Sequence, residues 1–478
     1  MSRILAAALM AAAFLWAGAL RAEEAAAPGA VAASAVRPSA AASVALPEGA
    51  TALAPAGAAP AASAASGADG VRSSRFRVRP VDDAWRKSLP RDAGKATQAY
   101  MDRLPADVVA SSNAYYEGGY WLILWNWLAG LAVALILLGG RRSARVRDWC
   151  QRVGRVAFFR DALYGAFFSV AGWVLTLPLT IYQGFFREHQ YEMATQTFGP
   201  WFGEQLIGLA VGTLVTAIAV GVLYVIIRRT GERWWLWGTV GTIVLMVVGL
   251  LVGPVWIDPL FNTYKPVADP AVRDAVLQLA KADGVPLTNV YQFDASRQTT
   301  RVSANVSGIF GSAAVRLNDN LLKCTLPEIR SVMGHELGHY VLNHIYKSIA
   351  EFALLFLAAF LFAKWAMERM LQRHGTRWGL KGVADVAGLP LFISVFTTFM
   401  FFATPISNTM VRTQEIEADR FGLNLAREPH GEAEVDLKLV EYRKPDPGEI
   451  EEFIFYDHPS TRFRIHDAMR WREAMGTE

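Results

Sequence analysis

Charge is scarce in this chain. Only 19% of its 478 residues are Asp, Glu, Lys or Arg, against 53% hydrophobic, and with 15 tryptophans and 26 phenylalanines it is too apolar for a soluble protein of this length. A membrane protein is the first expectation. Cysteine is almost missing: Cys150 and Cys324 stand far apart with no cysteine or histidine at metal-finger spacing near either, so neither a disulfide framework nor a thiolate zinc site is indicated. No basic face interleaved with aromatics exists either. The formal net charge is only +4 and the arginines gather beside apolar runs, which argues against a nucleic-acid partner. Within those apolar runs ionisable residues are few, so the groups that mark an ion pathway in a transporter are lacking.

Residues 1–22, MSRILAAALMAAAFLWAGALRA, place a basic Arg3 before an apolar run and small residues, the pattern of a secretory signal peptide or, uncleaved, of a signal anchor. Either form carries the residues after it across a membrane. From Glu23 to about Ser74 the chain is mostly Ala, Pro, Gly and Ser, with too few large apolar groups to offset the entropy of ordering it, and a disordered linker is expected.

Four long apolar segments come next, at 120–138, 163–182, 206–227 and 234–256, each near the roughly 20 residues a helix needs to span the hydrocarbon core. Tyr120, Trp121, Trp234 and Trp235 sit at their ends, where interfacial rings are favoured. Two further candidates lie at 352–363, short enough to be a buried soluble helix although flanking residues could extend it, and at 383–406, which contains Pro390. Positive charge alternates between the connections. The first has Arg141, Arg142, Arg145, Arg147, Arg152, Arg155 and Arg160, the third Arg228, Arg229 and Arg233, and the fifth Lys364, Arg369, Arg373, Arg377 and Lys381. These connections are expected on the cytoplasmic side, with residues 257–346 and the C-terminal tail opposite.

Between the fourth and fifth spans the pattern is that of a soluble domain. Val272, Val276, Leu277, Leu279 and Ala280 recur at helical spacing until Gly284, and NVYQF from Asn289 reads as a strand. RVSANVS from Arg301 alternates, and Gly308 and Gly311 permit a turn before AAVRLN, a hairpin. Thr325 and Glu328 then form a capping box, so a helix starts just before SVMGHELGHYVLNH. On it His335 and His339 are about 400° and about 6 Å apart, on one face, where two imidazoles can grip one zinc ion. Glu336, beside the first, can reach the attacking water, and Gly334 and Gly338 leave room for close approach. This is the H-E-x-x-H arrangement of zinc peptidases; the alternative is histidines hydrogen-bonded in a core. His344, nine residues after His335, is half a turn out of phase on a straight helix and is assigned a supporting or structural role. The third ligand is sought in RTQEIEADRFGL. There Glu415 can bind zinc while Asp419, four residues on, accepts the free N–H of a ligand histidine. Arg412 at the head of this segment is counted among the supporting groups, and Glu417 competes for either acidic role.

The ordered features DPLFNTYKPVAD, SANVSG, HELGHYVLNH, RTQEIEAD and HPSTRFRI, between about residues 163 and 465, resemble the CAAX prenyl protease 1 family of integral-membrane zinc endopeptidases. HtpX-type membrane proteases are a more distant likeness. The resemblance implies one Zn2+ held by His335, His339 and Glu415, with Glu336 as catalytic base. It also implies His458 stabilising the reacting carbonyl, and Asn305 with Ser303 on an edge strand that pairs with substrate. Arg464, in the last motif, joins the substrate-binding set. Prenylated substrates are not carried over, and the family's cytosolic zinc site opposes the charge pattern. The fold expected is mainly α: a polytopic helical membrane protein of about six spans with a small α+β, gluzincin-like zinc peptidase domain. The chain divides into a signal segment (1–22), a linker and juxtamembrane run (23–117), four membrane helices (118–256), the peptidase core (257–348), a membrane hairpin (349–410) and the rest of the core (411–478). The function expected is zinc-dependent hydrolysis of protein or peptide substrates at a lipid bilayer, in a bacterial inner membrane. The competing reading is a membrane scaffold or chaperone whose zinc is structural, with four protein ligands closing the site.

Overall fold

The computed structural model describes residues 76–78, 80–307 and 313–476; the signal segment and the Ala/Pro-rich stretch lie outside them. Two short helices, α1 (Asp83–Ser88) and α2 (Ala93–Met101), come first. A long α3 (Ala106–Leu138) then leads through a basic helix α4 (Arg142–Val153) into α5 (Ala157–Ile181), followed by α6 (Phe198–Thr230) and α7 (Trp234–Val252). Among the described residues, five continuous helical stretches are long and apolar enough to cross a membrane. In lipid the backbone must satisfy its own hydrogen bonds, which a helix does within one segment. The third stretch, Phe198–Leu260, is 63 residues. Straight, it would run about 95 Å against a core of about 30 Å. It folds back instead at Gly231, whose φ of +51° opens the turn, and Val215 and Ala219 of α6 pack on Leu245 of α7. The five stretches thus supply six membrane helices.

A four-stranded sheet comes after α7, built from β1 (Tyr264–Pro266), β2 (Leu287–Phe293), β3 (Ala304–Ser307) and β4 (Ala313–Asn318) in the order β1-β2-β4-β3. α8 (Pro270–Ala282), N-capped by Asp269, stands between β1 and β2. β2 and β4 run parallel, while β3 pairs antiparallel with β4 and forms one edge. The hairpin expected from the alternating pattern is this β3–β4 pair. Its buried face, Ala304, Val306, Val315 and Leu317, shares a core with Ile329, Met333 and Leu337 of α9 (Leu326–Val341). The Thr325–Glu328 capping box is present at the start of α9.

The last two membrane helices are α10 (His344–Trp378) and α11 (Leu389–Ala426), and α12 (Pro429–Leu439), α13 (Glu449–Phe455) and α14 (Thr461–Met475) complete the chain. Here the structure departs from the sequence reading. The candidate at 352–363 is the middle of a 35-residue helix. The span at 383–406 and the domain expected to begin at residue 411 are one 38-residue helix, about 57 Å long, with Pro390 in its first turn. No helix ends at 410. The turn from apolar to polar sequence there marks where one rod leaves the bilayer, because helical periodicity continues to Arg427, whose φ of +54° ends it. The juxtamembrane run is also no mere tether: Ala96 and Tyr100 of α2 are buried against Leu437, Ile465 and Met469, and Arg86 pairs with Glu434 at 2.8 Å.

α9 crosses α11 at backbone contact. A Cβ on Gly422 would lie 2.7 Å from the His335 nitrogen, one on Gly334 would lie 3.0 Å from the Gly422 oxygen, and one on Gly338 would lie 3.2 Å from the Ala418 Cα. The close approach that Gly334 and Gly338 allow is therefore to a second helix. At the other end of α9, both oxygens of the Glu328 carboxylate accept from Lys438 Nζ at 2.6 Å, and neither group is exposed to solvent by more than 1%.

Gly422→Ala forces α9 and α11 apart, so it should lower stability in detergent by about 1–3 kcal/mol, read as a fall in Tm, and lower metal content with it. Gly119→Ala on α3, where a Cβ meets nothing within 4 Å, is the control and should leave Tm unchanged or raise it. Equal behaviour of the two variants would contradict the backbone crossing.

Candidate active site

His335 Nε2 and His339 Nε2 lie 3.0 Å apart, and the Glu415 carboxylate is 3.3 Å from the first and 3.2 Å from the second. Among the described residues, this is the one group of three such side chains whose ligand atoms all fall within 4.8 Å of one another. The other ring nitrogens decide the tautomers. His335 Nδ1 is 2.7 Å from Asp419 Oδ1, which can only accept, so Nδ1 carries the hydrogen and Nε2 presents a lone pair. His344 Nε2 lies 3.0 Å from Glu417 Oε2, which leaves His344 Nδ1 free to accept from His339 Nδ1 at 2.8 Å. His339 Nε2 then also presents a lone pair. With both imidazoles neutral, two lone pairs and a carboxylate converge on one point, the donor set a divalent metal ion takes, so these residues fit a metal ion.

His344 reaches His339 because α9 does not run straight. Leu342 ends it and Asn343, at φ +57°, turns the chain into α10. A half-turn offset between His335 and His344 would hold only on a continuous helix. His344 stays out of the ligand group, as expected, but it acts directly behind His339, and Glu417 supports His344 instead of competing with Glu415.

Glu336 projects beside the group, 5% exposed, with Oε2 buried and without a hydrogen-bond partner among the described residues. Burial, reinforced by the Glu415 charge, pushes its carboxyl from 4.5 up to about 8, against the pull of His335 and Arg464. Burial lowers His339. Burial also works against the His335 cation, but the Glu415 and Asp419 carboxylates outweigh it and hold that imidazole well above its ordinary value. A metal must therefore displace a proton from His335.

The remaining residues fall into three places. His458 Nε2 stands 3.3 Å from Glu415 Oε2, with its Nδ1 donating to Asp457 at 2.8 Å. Arg464 is not on a substrate surface: at 7% exposure it lies behind the acids, its Nη2 donating to Glu415 at 3.0 Å and its Nε 3.2 Å from Asp419. Sequence order put it in the last motif, but packing of α14 on α11 turns it inward. Arg412, unlike Arg464, makes no hydrogen bond or ion pair to the ligand residues. It donates to the carbonyls of Glu452 and Tyr456 at the end of α13 and so holds the chain that leads to His458.

Asn305 lies on β3 and Ser303 just before it. The Ser303 carbonyl accepts from Asn318 N at 2.9 Å, so backbone groups at 303 and 305 face β4, and those of Ala304 and Val306 face the free edge. The backbone available for pairing is thus one residue out of step with the two residues expected. Asp457 and Gly422 were missed. Asp457 had a signal in its position directly before His458, and Gly422 in lying three residues after Asp419, on the same helical face.

Two family models match. One described as "Peptidase family M48" covers residues 266–472, and one described as "CAAX prenyl protease N-terminal, five membrane helices" covers residues 89–263. An uncharacterized metalloprotease, YhfN, of Bacillus subtilis is 30% identical over 71% of this chain and 80% of that protein. The probable CAAX prenyl protease 1 of Schizosaccharomyces pombe is 28% identical over 53% of each chain. The crystal structure of S. mikatae Ste24p superposes with a TM-score of 0.56 at 18% identity, over 85% of this chain and 96% of that one, a likeness of fold. A peptidase half and a membrane half matched in order, with one relative covered over most of its length, show that this chain belongs to peptidase family M48 as an integral-membrane metalloprotease.

Proposed function

We propose that the ion is zinc, bound by His335 Nε2, His339 Nε2 and Glu415, and that the protein is an endopeptidase acting on extended protein or peptide segments at the membrane. One observation carries this reading: an unpartnered, buried carboxylate, Glu336, stands beside a three-ligand group that leaves a coordination position open. A closed structural site would need a fourth protein ligand, and His458 Nε2 lies outside the ligand group. Zinc bound there supplies a Lewis-acidic centre that polarises the scissile carbonyl and acidifies water. Glu336 takes the proton of the attacking water and passes it to the leaving amine. With both ring nitrogens protonated, Nδ1–H held by Asp457 and Nε2–H turned to the site, His458 offers a donor to the developing oxyanion. Asp419 and the His344–Glu417 pair keep the ligand imidazoles aimed, and Arg464 holds Glu415 and Asp419 in place. The substrate lies as an added strand on the free edge of β3, bonded through Ala304 and Val306. Nothing in these contacts requires a prenyl group.

The peptidase domain, on this proposal, faces away from the cytoplasm. Three basic connections meet at the opposite end of the bundle: Arg141 donates to the carbonyls of Thr376 and Arg377, Arg147 reaches Gly379 and Asp385, and Lys364 pairs with Glu232 at 3.0 Å. In residues 139–160 alone there are seven arginines against one aspartate, the mark of a cytoplasmic face. A reporter that is active only in the cytoplasm should work when fused after Arg142 and fail after Glu478; the reverse pattern refutes this orientation.

Glu336→Gln in the purified full chain should keep its zinc and lose cleavage of a protein substrate such as casein by about 10²–10⁴-fold, and chelation should silence the parent. Proteolysis undiminished in that variant would falsify the assignment. The same substitution has a pH signature without metal. Since folding lifts the Glu336 carboxyl from 4.5 to about 8, the folded form binds a proton that the unfolded form has lost, and stability falls as pH rises between these values. Metal-free Glu336→Gln, which never ionises, should therefore match the metal-free parent in Tm near pH 4.5 and exceed it near pH 8. Parallel Tm profiles would show that the carboxyl is not held in a dry site.

A further inference from the structure

A small recess opens beside His458, walled by Tyr116 from α3, by Arg443 from the turn after α12, and by Tyr456 and Asp457. Tyr116 and Arg443 take no part in the catalytic steps. The charges around the recess are unequally served. Lys444 is held by Glu117 and Glu451, each at 2.7 Å, and Asp457 is taken by His458. Arg464 is bound to the acids behind the ligands, and Arg412 to carbonyls of α13. Arg443 is only 8% exposed, yet no hydrogen bond or ion pair within 4.0 Å reaches its guanidinium among the described residues. Its field helps hold the Asp457 carboxyl low, but that carboxylate is bonded elsewhere. The Tyr116 hydroxyl is likewise without a hydrogen bond there, while its ring is fixed against Tyr456 at 4.7 Å. A guanidinium that reaches solvent only through a small recess, with no bonded counter-charge, is open to an anion entering that recess. Five N–H donors in a planar fork are also the geometry that grips a carboxylate through two parallel bonds.

We propose that Arg443 and Tyr116 form a subsite for a carboxylate of the substrate, next to the scissile bond on the His458 side. The inference rests on the peptidase reading of His335, Glu336, His339 and Glu415. Strand addition on β3 engages backbone only, so it supplies affinity with little selection among sequences. A single buried cation beside the oxyanion donor adds the selection: a peptide presenting a carboxylate there docks with its carbonyl in register with His458. That carboxylate belongs either to the peptide's own C-terminus or to an Asp or Glu side chain. The first source makes the enzyme cut near chain ends, the second within acidic segments. Arg443 acts as a specificity-determining residue, with Tyr116 as its second donor.

The test uses the detergent-purified full chain and one cleavable peptide in matched forms: free C-terminal acid against amide, and Glu against Gln at each position flanking the cleaved bond. The parent should favour one carboxylate form over its neutral partner by ~10-fold or more in kcat/KM, mostly through KM. Which pair shows the preference identifies the source. Arg443→Met should bring that ratio to about one, and Arg443→Lys, which keeps a charge without the fork, should retain part of it; zinc content and Tm report whether each variant is folded. A ratio of one in the parent for every pair, a ratio that survives in folded Arg443→Met, or equal loss of acid and neutral cleavage in that variant overturns the subsite. A parent that cleaves none of the peptides, nor casein, instead removes the peptidase reading, and this proposal with it.

Discussion

The contact on which the site depends is the crossing of α9 and α11 at Gly334, Gly338 and Gly422. Two helices packed through ordinary side chains keep their axes about 8–10 Å apart. Here the missing Cβ atoms let backbone touch backbone, with the Gly422 position directly against the His335 amide. Only at that separation can the Glu415 carboxylate reach within 3.3 Å of both His335 Nε2 and His339 Nε2. The ligand geometry is thus a consequence of helix packing. It is also tied to the membrane, because the helix that offers Glu415 is the same rod that crosses the bilayer.

Packing alone would leave an unstable concentration of acid. Glu415, Asp419, Glu432 and Asp436 are all buried on neighbouring turns, and like charges in a medium of low dielectric repel strongly. Arg464 answers most of this. It bonds Glu415, lies against Asp419 and comes within 4.0 Å of Asp436. Glu336 receives no bond from Arg464, keeps an unpartnered oxygen, and has its carboxyl pushed up to about 8 by burial. A group held that way is poor as structure and suited to exchanging a proton near neutral pH.

Local chemistry was legible in the sequence and distant geometry was not. His335, Glu336 and His339 could be read together because a capped helix and a spacing of four determine their relation within one turn. Glu415 was reachable through its four-residue step to Asp419. The position of Arg464 was beyond such reading, since nothing near it in sequence says that α14 turns it under α11. His344 shows the limit of periodicity: its phase holds for a straight helix, and one residue, Asn343 in the left-handed region, changes its direction. The continuity of α11 through residue 410 was hidden for the opposite reason. Polarity changes there while helical structure does not, and hydropathy reports the solvent around a helix without reporting where the helix ends.

The free edge of β3 gives the fold its remaining logic. An unpaired strand edge is a template for any extended chain, and most proteins cover it. In this one Tyr442 meets it at one end, bonding the Val302 carbonyl, while the outward backbone groups of Ala304 and Val306, both buried residues, make no strand pair among the described residues. An edge that reads only backbone accepts many sequences, so whatever discrimination the enzyme has must come from the side chains around the bond to be cut. The recess at Arg443 is where the structure departs from neutrality: it holds a buried cation with no bonded partner among the described residues, one residue from Tyr442, on the same turn that closes the strand edge. The strand edge proposed for backbone pairing and the recess proposed for charge selection are thus joined by one loop, in which Tyr442 meets β3 and Arg443 lines the recess.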